Sequence, residues 1–257
     1  MINASPDLRS QILSTTLLAP ARTPRHTPIS AILLTSADVD SVAGLLHLRE
    51  FQPLQIFSTP SVRQIILEEN RIFRVLDRAK PAAIWQDLPL DTWFSVSANL
   101  AGEEMPVRCR VLPLGSVYPD YVSEELRRSL SPGEAVIGLV FQDAGKQFFY
   151  APALPVTSSD WQEWARSSDL CLLDGTFWSE NELISAGASS KTAREIGHVP
   201  LSGPGGLLEE FGASQQTRKI LIHINNTNPI LDEESRENRE ARDAGWEIAY
   251  DGMQIEL

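Results

Sequence analysis

Short apolar runs that stop abruptly at polar residues constrain this chain more than any other feature. Residues 29–35 read ISAILLT and 54–59 read LQIFST; further along come LCLLDGTF and KILIHINNTNP. Each run has the length of a strand and is too apolar to lie open to water. Helical spacing follows the first two. Val42, Leu45 and Leu46 come after the first, and Val62, Ile65 and Ile66 after the second. There, Thr59 and Pro60 supply a capping hydroxyl and a proline at the first helical position. A further amphipathic piece carries Ile72, Phe73 and Leu76 and is stopped before Pro81.

Residues 90–150 change pattern. VRCRVLPL alternates polar and apolar residues, as a half-buried strand does, and AVIGLVFQDAGKQFFYAP reads as two strands about a Gly-containing turn. A helix is expected over Ser159–Arg166. A polar stretch, 179–202, ends in the turn-rich LSGPGG. Later, Asp232 is placed to cap the acidic helix DEESRENREARDAG and Gly245 to stop it. WEIAY-DG-MQIEL reads as a hairpin about a tight type I′ turn. Strands and helices mix without strict alternation, and no repeat or linker divides them. A chain of 257 residues with 42% apolar composition can bury one substantial core. Residues 1–257 therefore read as a single domain of mixed α/β class.

Lys and Arg number 22 against 34 Asp and Glu, a net charge of −12. That balance argues against sequence-independent nucleic-acid binding and against docking on anionic lipid. The two cysteines, Cys109 and Cys171, are far apart and form no C-x-x-C, so nothing indicates a thiolate zinc site or a disulfide framework. Cys171 lies in an apolar run and reads as a buried, inert thiol. A reducing, cytoplasmic home is expected. No membrane span and no targeting segment are visible. The opening MINASPD reads as the end of a strand entering a turn, with no strand before it.

Several residues stand where chemistry is done. The loop TSADVDS follows the first apolar run, and alternate side chains of an extended segment point the same way. Asp38 and Asp40 therefore could converge, and two carboxylates in one pocket call for a cation or a proton. The alternative is a solvent-exposed turn in which Asp40 or Ser41 caps the next helix. His223 emerges near the end of the buried run ILIHINN, where ligands gather in mixed sheets; otherwise it is a core histidine satisfied by hydrogen bonds. His198, between Gly197 and a glycine-rich loop, is placed as a general acid or base or as an ordinary surface histidine. Asp174, closing LCLLD before Gly175, is a turn former or a site carboxylate, the turn being preferred. His26 and His47 read as structural. SGPGG alone needs no phosphate to explain it.

The strings INASPDLR, LLTSADVDSVAGLLHLRE, LLDGTFW, KTAREIGHVPLSGPGG, ILIHINNTNPILDEES and AYDGMQIEL resemble the coenzyme PQQ synthesis protein B family. The likeness runs in order through almost the whole chain and is looser over 86–131. It implies a metallo-β-lactamase-like αββα four-layer sandwich that lacks the family's first strands. It also implies a part in pyrroloquinoline quinone (PQQ) biosynthesis, with a small-molecule PQQ precursor as partner. The activity implied is an iron-dependent hydroxylation of the tyrosine moiety of that precursor; the alternative is a carrier of PQQ or its precursor towards the periplasm. The oligomeric state is not fixed by the sequence, and a homodimer is compatible with it.

The departures from the family pattern bear on the metal. The family loop reads TDAEIDH where this chain reads TSADVDS. Ser36 replaces an aspartate, Asp38 a glutamate and Ser41 a histidine, while Asp40 is kept. His223 matches the family's late metal-binding histidine, and His198 its Gly-His site residue. The resemblance thus implies Fe(II) or Zn held by Asp38, Asp40 and His223, with His198 catalytic and one imidazole lost at Ser41. Family members also begin with a strand, a glycine-rich turn and a cysteine-rich segment that come before the point matching Met1, so residues 1–257 are expected to be less than the functional unit. Lys191 and Arg194, beside His198, are the cations a carrier would offer a polyanion; on the plainer reading they line a solvated helix face. A generic hydrolase is disfavoured, since the usual H-x-H-x-D-H ligands are reduced to one aspartate.

Overall fold

A computed structural model describes residues 1–19, 27–49, 54–78, 83–97, 104–156, 159–211 and 216–257. His26 and Pro81 lie outside the described residues. The chain divides into two compact units, Met1–Ile137 and Gly138–Leu257.

In the first unit, helix α1 (Leu8–Ser14) precedes strand β1 (Ala31–Leu33), helix α2 (Val39–Val42), strand β2 (Gln55–Ser58) and helix α3 (Pro60–Glu68). Helix α4 (Val75–Arg78) and strand β3 (Ile84–Asp87) follow, then β4 (Trp93–Ser97), β5 (Glu104–Gly115) and helix α5 (Glu124–Arg127). β1, β2 and β3 are parallel neighbours in that order, and β4 pairs antiparallel with β5. Ile32, Ile56, Ile65 and Ile66 are fully buried, each worth about 1.5–3 kcal/mol in transfer from water. Helix α3 starts as its sequence dictates: the Thr59 hydroxyl accepts from the Val62 N–H, with Pro60 in the first turn. The opening residues do behave as a strand end. Leu33 N donates to Met1 O and Asn3 N to Leu33 O, while the Asn3 amide brackets Thr35 at 2.8 and 2.9 Å.

The second unit contains β6, which spans Val136–Asp143 and so begins just before it, then β7 (Lys146–Ala151), helix α6 (Ser159–Arg166) and β8 (Leu170–Asp174). Helices α7 (Glu182–Ser185) and α8 (Leu207–Phe211), β9 (Arg218–Ile222), helix α9 (Arg236–Asp243) and β10 (Trp246–Ile248) complete it. β6 and β7 form the expected hairpin, its turn built on positive φ at Ala144 and Gly145. From β7 through β8 and β9 to β10 all pairings are parallel. Trp161, Phe211 and Trp246 pack in sequence, with ring centroids 5.8 and 5.9 Å apart, and anchor this core.

Two expectations about the C-terminal region are corrected. β10 pairs parallel with β9, and residues 253–257 form no strand, so the Asp251–Gly252 turn closes no hairpin. β10 is the end strand of its sheet, paired with β9 on one side, and the segment after Gly252 adds no strand to its other edge. Helix α9 is capped by Ser235, whose hydroxyl accepts from the Asn238 N–H. Asp232 instead accepts from the Glu234 N–H one turn earlier. Gly245, at φ 81°, ends the helix as expected. Both cysteines are buried and free, and burial pushes each thiol up to about 12, which makes both inert.

Candidate metal centre

β8 and β9 lie side by side with Leu173 opposite Leu221 and Asp174 opposite Ile222. Asp174 is therefore the last residue of one strand, and His223 is the first residue past its parallel neighbour. Carboxyl ends of adjacent parallel strands are where open sheets place ligands. Gly175 allows the close approach there: a Cβ at this position would meet Ile222 O at 3.0 Å and Leu221 Cβ at 3.1 Å. Its N–H donates to Ile222 O at 2.7 Å, and the Asn228 amide donates to its carbonyl at 2.9 Å.

The chain turns sharply at His223, whose φ is +56°. That left-handed conformation costs a residue with a Cβ about 1–2 kcal/mol. His198 arrives from a different segment. A short 3-10 turn, Arg194–Ile196, ends at Gly197 with φ 95°, and the Val199 N–H then docks on Leu154 O at 2.7 Å. The rings of His198 and His223 stack with centroids 5.5 Å apart and an interplanar angle of 17°. Phe177 meets His198 edge-on at 5.7 Å.

Asp174 is fully buried and fully hydrogen-bonded. Oδ1 accepts from the Thr176 N–H at 3.0 Å and from the Thr176 hydroxyl at 2.6 Å. Oδ2 accepts from the Leu154 N–H at 2.8 Å and lies 2.8 Å from His198 Nδ1. Burial pushes the carboxyl pKa up. The charge and hydrogen bond of His198, the charge of His223 and the Thr176 hydroxyl outweigh it and hold the group below its ordinary value.

Asp174, His198 and His223 each bring a ligand-capable atom to within 4.8 Å of the others. Two imidazoles and a carboxylate are donors that zinc and iron(II) both accept, and the spacing lets them face one ion. The residues present fit such a metal. Asp174 is both things weighed for it: its Oδ1 forms a side-chain turn with the N–H two residues on, and it is the buried acid of the cluster.

Residues 1–224 match the model of the Beta-lactamase superfamily domain. Coenzyme PQQ synthesis protein B of Pseudomonas protegens is 40% identical over an alignment of 261 residues that covers 100% of this chain and 83% of that protein. This chain belongs to the PqqB family. The crystal structure of Zn²⁺-bound PqqB from Methylobacterium extorquens superposes with a TM-score of 0.87 at 32% identity, covering 100% of this chain and 82% of that one. A metallo-β-lactamase fold protein from Bacillus subtilis, YhfI, superposes with a TM-score of 0.61 at 13% identity, covering 98% of this chain and 84% of that one; it shares the fold alone. The fold is metallo-β-lactamase-like, as the resemblance implied.

The loop that departs from the PqqB pattern lies in the first unit. Asp38 is the residue before helix α2, and its side chain does not cap the helix. Asp40 is exposed in the first turn. Neither Asp40 nor Ser41 caps α2, because both lie inside it. The Ser36 hydroxyl donates to Asp38 Oδ2 at 2.7 Å and sits 3.1 Å from Ser41 Oγ, so both replacement serines are buried in a local network. Tyr121 holds the loop by donating to Ala37 O. His198 and His223 are thus brought together, and the carboxylate beside them is Asp174. Thr176 and Leu154 escaped the sequence reading. The hydroxyl two residues after a strand-ending Asp was the visible signal for Thr176; a backbone N–H at Leu154 has none.

Of the candidate anion groups, Arg194 is committed elsewhere. It pairs with Glu180 and donates to Gly205 O at 2.8 Å. The Gly205 N–H of SGPGG donates to Glu209 Oε2 at 2.9 Å, so the loop is filled by the chain's own carboxylate and needs no phosphate.

Proposed function

We propose that this chain acts in PQQ synthesis through a divalent metal held by His198 and His223, with Asp174 supplying negative charge at the same place. One observation carries the reading: these three side chains converge at the ends of β8 and β9 in a chain 40% identical to a PQQ synthesis protein B. Bound there, the metal would supply Lewis-acid or redox chemistry. The chain's own residues bind and orient. Thr176 and Asp174 hold the two rings, and Phe177 covers one flank of His198 against water. The reaction we assign is hydroxylation of the tyrosine moiety of the PQQ precursor, with iron as the metal, dioxygen as oxidant and an external reductant supplying two electrons.

The test is direct. Protein purified without oxygen and loaded with iron is given a Glu–Tyr precursor, dioxygen and reductant. Mass spectrometry should show one added oxygen, lost in His223→Ala. Iron-loaded protein that leaves the precursor unchanged would refute hydroxylation. A second reading, a carrier for PQQ or its precursor, is favoured by the opening loop, where Ser41 stands in place of the family histidine and is buried against Ser36. Calorimetric binding of PQQ to the metal-free protein, unchanged by His223→Ala, would support it.

A further inference from the structure

Residues 116–123 join β5 to α5 within the first unit, and side chains hold them in place. Between described residues, the one backbone-to-backbone hydrogen bond of 116–122 closes inside the segment, from the Val122 N–H to Pro119 O at 3.1 Å. Ties to other elements run through side chains. The Tyr118 hydroxyl donates to Ser131 O at 2.7 Å, and Arg127 donates to Val122 O and Pro119 O at 2.9 and 2.6 Å. At the α5 end the Ser123 N–H and hydroxyl both donate to Glu69 Oε1, on the residue that closes α3. Tyr118 and Val122 are buried, so both sides of the turn between them are anchored.

That turn carries Tyr121. Its side chain reaches back into the protein while the residue stays 38% exposed. The hydroxyl donates to Ala37 O, in the middle of the loop that follows β1. The loop's other hydrogen bonds are local, as from Ser36 to Asp38, or hold its ends: Asn3 and Ile137 at Thr35, and Ala4 at Ser41. Ala37 is fully buried, and a buried carbonyl is costly without a donor. When Tyr121 lets go, Ala37 O must find water, so the loop has to loosen with the turn.

We propose that Tyr121 is a latch: the turn 119–121 swings between its buried anchors and gates the loop after β1. It is closed when the hydroxyl meets Ala37 O, and it opens with the sheet intact. The gated loop lies at the carboxyl end of β1, beside its parallel neighbour β2, and such strand ends are where ligands enter mixed sheets. Opening exchanges one hydrogen bond of a half-exposed side chain for bonds to water, so the latch shifts the equilibrium by about 2–12-fold. A bias of that size closes the loop and still lets it open often.

The test is hydrogen exchange on the whole chain in native buffer, read by mass spectrometry. In the unmodified protein, peptides over 34–42 and 116–122 should exchange faster than those of β2 and β5. Tyr121→Phe keeps the ring and removes only the hydroxyl. It should speed exchange of both peptides together, by about 2–12-fold, and leave β2 and β5 unchanged. Ser123→Ala removes the α5 cap and one bond to Glu69; it should loosen 123–127 and leave 34–42 as it was. Unchanged exchange over 34–42 in Tyr121→Phe would overturn the latch, whether or not 116–122 responds. A rise shared by β2 and β5 would overturn it too, because the hydroxyl would then support the whole fold and gate nothing.

Discussion

Two replacements at His223 separate what the side chain does from what the backbone costs. Alanine and glycine both delete the imidazole and its bond to Thr176. They differ only in the Cβ, which at φ +56° costs about 1–2 kcal/mol. Against this, glycine loses about 0.4–1 kcal/mol through the freer unfolded chain. The difference, about 0–1.6 kcal/mol with a mid-value of about 0.8 kcal/mol, leaves His223→Gly more stable than His223→Ala. For a chain of this size that is about 2 °C in Tm, measurable by calorimetry at matched concentration. Both variants should bind zinc equally poorly. If alanine is the more stable of the two, position 223 is not strained, and the claim that the fold tolerates a strained turn to aim this ring is refuted.

Three further outcomes follow from the same contacts. Gly175→Ala should destabilise the protein by about 1–3 kcal/mol in urea unfolding, because its Cβ would press on Ile222 O and Leu221 Cβ. Ser235→Ala should cost about 1 kcal/mol as a lost helix cap, and Asp232→Ala measurably less by the same assay. The Asp169 carboxyl lies below its ordinary value of 3.8, held there by the Gln147 N–H and then by Lys146. Its contribution is complete above that pH and disappears as acid protonates the folded form, so Asp169→Asn should flatten the acid limb of the stability profile.

Much of this architecture was legible because local and long-range signals agree. Thr59 and Pro60 start a helix wherever apolar residues recur at helical spacing, and α3 does so. Asp143–Lys146 reads as a hairpin turn because Ala144 and Gly145 are flanked by strand-forming residues. The tail misled because Asp-Gly favours a tight turn whatever follows it, and a turn makes a hairpin only if the segment after it pairs back; residues 253–257 form no strand beside Trp246–Ile248, whose described neighbour is β9. Ser235 outcompeted Asp232 because the helix begins one turn later than its acidic composition suggests. At the site, His198 and His223 were visible as histidines beside a glycine loop and a strand end. The parallel register that sets Asp174 beside Ile222 is a long-range pairing, so no local pattern could select Asp174 as their acid. The backbone N–H of Leu154 is invisible to sequence altogether.

The most direct test is anomalous diffraction from crystals of the protein grown with zinc, collected on both sides of the zinc edge. The account predicts a peak bonded to Nε2 of both His198 and His223 at about 2.0–2.1 Å. A peak that contacts neither ring, with the two imidazoles unchanged beside it, would contradict the account.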